Sequence, residues 1–171
     1  MAGDGSFGYS GENTLATTAS LASPRAITSD AQGNLYFTEN NNYRVRKVMR
    51  STGLIMTVAG NGEQGSSNFI SSNVLATSIN ISPFHLVIDS SGDLYVIDAY
   101  NNHMLKISFS TGMIVKSRYI TTVGAMFIDG TGTLYYTDAA AKMIYKELSS
   151  GEIFITLILI LRAICTSPSE T

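Results

Sequence analysis

Six acids recur along this 171-residue chain: Asp30, Asp89 and Asp129 in one set, Glu39, Asp98 and Asp138 in another. Paired carboxylates do general acid–base work or hold hard cations. Their recurrence at matching places points elsewhere. An acid repeated in every copy of a unit serves a turn or a structural hydrogen bond, whereas a reacting group is set apart from its copies. Asp89-Ser90-Ser91-Gly92-Asp93 has the outline of a calcium loop. It lacks the alternating ligands and the closing Glu of an EF-hand, so no metal is expected there. His85 and His103 are the two histidines and Cys165 the one cysteine, too few for a zinc cluster of His or Cys. His103 reads as a surface strand residue. His85 is the best single candidate for a metal ligand or acid–base group, set against the plainer reading of a hydrogen-bonded core histidine. Arg44, Arg46, Lys47 and Arg50 are the one basic cluster. A basic face is the footprint RNA binding requires. Strand alternation sets Arg44 and Arg46 opposite Lys47 and splits the charge, so a solvated face is the expected role. No phosphate loop, nucleophile elbow or dinucleotide fingerprint is present, and no cofactor is expected.

The elements that position these residues repeat. Ser29-Asp30-Ala31-Gln32-Gly33-Asn34-Leu35-Tyr36 returns as Ile88-Asp89-Ser90-Ser91-Gly92-Asp93-Leu94-Tyr95 and as Ile128-Asp129-Gly130-Thr131-Gly132-Thr133-Leu134-Tyr135. Asp30 to Asp89 is 59 residues and Asp89 to Asp129 is 40, and the Gly33/Gly92/Gly132 and Tyr36/Tyr95/Tyr135 sets keep both offsets. One supersecondary unit stacked on copies of itself accounts for this. Each copy divides into four short strands. The first covers 25–30, 84–89 and 124–129, the second 34–39, 93–98 and 133–138. The third covers 43–48, 103–107 and 142–146, and the fourth starts after Thr52-Gly53, Thr111-Gly112 and Ser150-Gly151. An Asp–Gly hairpin joins the first two, and Asn41, Asn42, Asn101 and Asn102 suit the next turn. Four antiparallel strands in about 40 residues make a propeller blade. Long loops that open on Ala2-Gly3-Asp4-Gly5 and Ala59-Gly60-Asn61-Gly62 precede the first two blades; the third copy lacks one. Lys47, Lys106 and Lys146 recur as a blade constant.

Composition agrees. Apolar residues make up 44% and the formal net charge is -2, enough to build a core and too little to attract nucleic acid or an anionic membrane at long range. DNA and membrane partners are therefore not expected. Met1-Ala2-Gly3-Asp4-Gly5 has neither a basic nor an apolar stretch, so it does not read as a signal peptide, and a cytoplasmic setting is favoured. Asn80-Ile81-Ser82 is the one glycosylation triplet and carries little weight without an export signal.

Ser23-Pro24-Arg25, Asp30-x-x-Gly33-Asn34-Leu35-Tyr36, Asn41-Asn42-x-Arg44-Val45-Arg46-Lys47-Val48 and Thr52-Gly53-x-Ile55-x-Thr57-Val58-Ala59-Gly60-Asn61-Gly62 together resemble the NHL repeat of six-bladed β-propellers. Gly8-Tyr9-Ser10-Gly11-Glu12 is similar to a loop in one branch of those repeats. The resemblance covers about residues 1–156. The third copy departs from it, with Val123 where the others have Pro24 and Pro83 and with Ala139-Ala140-Ala141 in the Asn-rich turn. The resemblance implies a fold far more than an activity, since such repeats serve scaffolds, receptors and enzymes alike.

The expectation is therefore all-β: about three NHL-type blades, roughly 1–58, 59–116 and 117–156, forming an incomplete ring. Closure typically needs four to eight blades. A piece of a longer propeller, a half-ring completed by self-association, and an arc capped by its own tail all fit that count. The tail, 157–171, reads as an apolar run ending at Arg162, too short for a membrane helix, followed by a disordered end. The first strands and long loops are where a partner would dock, which nominates Tyr9, Arg25, Phe84 and His85, with Arg44, Arg46 and Lys47 as the basic contribution. A protein partner and a non-catalytic scaffold role are favoured. A metal-dependent lactonase or lyase centred on His85 is the alternative, and RNA binding comes third.

Overall fold

The computed structural model describes residues 1–65, 72–120 and 123–155, and the chain falls into two units, Met1–Ile120 and Thr121–Thr171. The first unit holds two sheets. In one, β2 (Pro24–Ser29), β3 (Leu35–Glu39), β4 (Arg44–Val48) and β5 (Leu54–Ala59) form an antiparallel meander, and a short β1 (Thr14–Leu15) adds to β5 at its outer edge. In the other, β6 (Pro83–Ile88), β7 (Leu94–Asp98), β8 (His103–Ile107) and β9 (Ile114–Tyr119) repeat the meander. The second unit carries the third copy as β10 (Val123–Ile128), β11 (Leu134–Asp138), β12 (Met143–Glu147) and β13 (Ile153–Ile155). The all-β expectation of three four-stranded blades is met. Strand β1 and the full length of β9 were not anticipated. The apolar run and the end of the chain, from residue 156 on, lie outside the described residues. No helix among the described residues is long and apolar enough to cross a membrane.

The repeat is physical as well as textual. In each first hairpin an aspartate carboxylate accepts the backbone N–H four residues on: Asn34 to Asp30 at 2.8 Å, Asp93 to Asp89 at 2.9 Å, Thr133 to Asp129 at 3.0 Å. The glycine between them takes φ of +79°, +85° and +81° at Gly33, Gly92 and Gly132, a region open to Gly at little cost. The turn after the second strand meets expectation in the second blade, at Asn102, and differs from it in the other two. Its left-handed residue is Tyr43, Asn102 or Lys142, at φ 51°, 55° and 57°, while Asn40–Asn42 form a 3-10 turn. Asn102 suits that region; Tyr43 and Lys142 occupy it at some strain. Each first strand carries a bulge near its start, and Pro24 and Pro83 sit there on an edge strand, where a missing N–H breaks no ladder bond.

The long loops are braces. Before the first blade, Asn13 N–H bonds Ile55 O at 2.8 Å and Ala16 N–H bonds Gly53 O at 2.8 Å; before the second, Asn73 bonds Ile114 O at 2.7 Å and Ala76 bonds Gly112 O at 2.9 Å. Each loop thus clips the fourth strand of the blade it introduces. Ala16 and Ala76 are buried beneath the clip. Gly60 at the loop mouth has φ +84°, and a Cβ there would meet Tyr43 O at 2.1 Å, so no other residue fits. The core of the first unit packs Tyr36, Val45 and Ala59 of the first blade against Leu86, Leu94, Val96 and Ile107 of the second.

Candidate functional site

The six recurring acids are committed to the backbone. Beyond the hairpin set, Glu39 accepts from Ala22 N–H at 2.9 Å, Asp98 from Ser82 N–H at 3.0 Å and Asp138 from Ala141 N–H at 3.0 Å. The Asn42 and Asn101 amides donate to Glu39 and Asp98 at 2.9 and 2.6 Å. Burial pushes the Asp98 carboxyl up, with the Ser82 and Asn101 hydrogen bonds opposing it. Burial also favours a neutral Asp30, yet hydrogen bonds from Asn34 and Tyr36 and the nearby Lys47 charge hold it below the usual carboxylate range. Among the described residues no three His, Cys, Asp or Glu side chains converge as a metal site.

The recurring lysines are placed by register. Tyr36 pairs with Lys47, Tyr95 with Lys106 and Tyr135 with Lys146 across the second and third strands. Each ammonium lies over its tyrosine ring, at 5.1, 5.0 and 5.9 Å, one cation–π contact within each blade. Lys106 also pairs with Asp89 at 3.3 Å and Asp93 at 3.0 Å. Burial opposes its charge, and Tyr95, Asp93 and Asp89 more than offset that and raise it above the ordinary lysine value.

The basic cluster is not one solvated face. Arg46 is fully buried, which corrects the expectation of a surface cation. Its guanidinium pairs with buried Glu39 at 2.9 Å and with half-exposed Glu12 at 3.3 Å, and donates to the Ser10 and Gly11 carbonyls. A charge leaves water only when its partners are supplied, and Glu12 and the 10–11 backbone supply them from the preceding loop. Glu12 in turn is held by Thr57 and Tyr9. Arg44 stacks on Tyr9 at 3.8 Å and donates to the Asn42 and Asn61 carbonyls at 3.0 and 2.8 Å. So Tyr9, Arg44 and Arg46 meet in one brace, and Lys47 and exposed Arg50 stand apart from it. His103 is likewise buried, against the surface expectation: its Nδ1 lies 2.6 Å from Asn101 O and its ring meets Tyr119 edge-on at 5.8 Å.

What remains for recognition lies on the two first strands, β2 and β6, which are neighbours. Exposed Arg25 lays its guanidinium 3.8 Å over the Phe84 ring. His85 follows on β6; its Nδ1 is buried with no hydrogen-bond partner in the described structure, and burial pushes its pKa below the usual histidine value. Sequence reasoning nominated all three residues from strand position, but not the stacking. It missed Glu12, whose role depends on the strand its loop lies across.

Comparison with solved structures gives the class. A streptogramin B lyase superimposes with TM-score 0.56 at 17% identity over 78% of this chain and 40% of the other. A catalytically inactive histidine variant of virginiamycin B lyase from Staphylococcus aureus, bound to quinupristin, gives 0.58 at 19% over 82% and 44%. A putative gluconolactonase gives 0.55 at 12% over 78% and 48%. The chain spans less than half the length of each. No protein-family model matches the sequence, and no curated protein does. The fold is therefore that of β-propeller blades, established by structure.

Proposed function

We propose that this chain is an NHL-type propeller module that holds a protein partner without catalysis, through the patch built by Arg25, Phe84 and His85. The observation that carries this reading is the Arg25–Phe84 stack. A guanidinium held flat on an aromatic ring is ordered before a partner arrives, so little side-chain entropy is lost on binding, and arginine and aromatic residues dominate interface energetics. The commitment of all six recurring acids to backbone hydrogen bonds supports it, since those carboxylates are occupied. Arg25 suits a peptide that offers a carboxylate beside an apolar side chain.

A lyase- or lactonase-type activity like that named for the structural neighbours is the second reading. The unpartnered Nδ1 of His85, kept neutral by burial, favours it. RNA binding draws less support, because Arg44 and Arg46 are held inside the brace.

A displayed peptide library selected on the purified chain tests the first reading. Enriched peptides should bind Arg25→Ala and Phe84→Ala about tenfold more weakly, with thermal unfolding unchanged. Peptide binding indifferent to both substitutions, or lactone turnover abolished by His85→Ala, would overturn it.

A further inference from the structure

A groove of about 300 Å³ runs between the first two blades, away from the Arg25–Phe84 patch. Met56 and Val58 of β5, Leu75 of the second loop, Leu94 of β7, Ile107 at the end of β8 and Phe109 in the turn after it line it. Lys47 stands in it, with its ammonium 5.1 Å from the Tyr36 ring and 5.3 Å from the Phe109 ring, one ring from each blade. The equivalent Lys106 of the second blade is neutralised by Asp89 and Asp93. The first blade has Asn34 where the second has Asp93. Asp30, the counterpart of Asp89, accepts from the Asn34 amide at 2.7 Å and the Tyr36 hydroxyl at 3.1 Å. Lys47 makes no ion pair within 4.0 Å among the described residues. One acid-to-amide exchange thus leaves Lys47 with the more distant Asp30 charge and no close counter-ion in an apolar groove.

We propose that this groove binds a medium-chain carboxylate: the acyl chain lies along Met56, Val58, Leu75 and Leu94, and the carboxylate meets the Lys47 ammonium. The volume is at the small end of ligand pockets and suits a chain of about eight carbons. The Tyr36 and Phe109 rings hold the ammonium over the apolar lining, where water screens an ion pair less than at an open surface. Charge selects the ligand's headgroup; the apolar walls select its tail.

Octanoate, octanol and octylamine titrated into the purified chain, followed by calorimetry and by methyl NMR of the groove, provide the test. Octanoate should bind saturably, with octanol weaker and octylamine undetected. Lys47→Met should weaken octanoate about tenfold, the worth of a partly desolvated charge-assisted contact. Asn34→Asp should do so too without touching the groove wall, by giving Lys47 the second acid that Lys106 has. Leu75→Trp should block binding by filling the space. Equal binding of octylamine, octanoate affinity indifferent to both Lys47→Met and Asn34→Asp, or no saturable binding would each overturn the proposal.

Discussion

At the scale of single residues, burial decides what each ionisable group does. Arg46 and Glu39 are both fully enclosed, so each is the other's counter-ion. The second blade places Leu105 at the position of Arg46 and leaves its acid to Ser82 and Asn101. Arg46→Leu should therefore cost about 3 kcal/mol by stranding Glu39 and the Ser10 and Gly11 carbonyls, as measured by urea unfolding. His85 gives a pH dependence of definite sign. Its folded pKa is depressed, so below about pH 6.5 the unfolded chain takes up a proton that the folded chain refuses. Stability falls as pH drops from about 6.5 toward the folded value, and His85→Gln should flatten that slope relative to wild type in thermal melts at pH 7 and 5.5. The sequence revealed both residues but misread the first. Alternation along β4 says which side a residue faces; it does not say that the loop of Gly11 and Glu12 lies over that side. The same blindness hid the burial of His103.

At the scale of elements, the hairpins and clips were legible to different degrees. The Asp–Gly turns were plain, because turn chemistry is local: the carboxylate, the N–H it accepts and the left-handed glycine lie within five residues. Asp89→Ala should cost about 1–2 kcal/mol through the lost bonds to Ser91 and Asp93 N–H and the Lys106 pair. A denaturation midpoint unchanged in Asp89→Ala would return these acids to the list of reacting groups. The loop clips were visible only as paired words, Leu15-Ala16-Thr17 and Leu75-Ala76-Thr77, near the loop ends. Their partners, Gly53 and Gly112, lie more than 35 residues away, a distance that no local propensity reports. The left-handed Tyr43 was missed for the opposite reason: Asn40–Asn42 offered better-suited residues close by, and register overrode preference; before Lys142, Ala139-Ala140-Ala141 carries no turn signal at all.

At the scale of the molecule, within the first unit, the first blade serves as the lid of the second. Leu86, Leu94, Val96 and Ile107 lie under the first blade at 5% exposure or less. Their counterparts one repeat earlier are Ile27, Leu35, Phe37 and Val48, which line an open hollow of about 400 Å³ together with Leu21 and Arg25. Ile27 is 66% exposed where Leu86 is 1%. The repeat in the sequence predicted equivalent positions. It could not report which copy of a position is covered, because that depends on neighbours and not on the residue. Unfolding free energies of the pair Leu86→Ala and Ile27→Ala, measured side by side in urea, test the stacked-repeat account most directly. Blade-on-blade packing predicts a loss of about 3 kcal/mol for Leu86→Ala and under about 1 kcal/mol for Ile27→Ala. Equal losses at the two sites would contradict it.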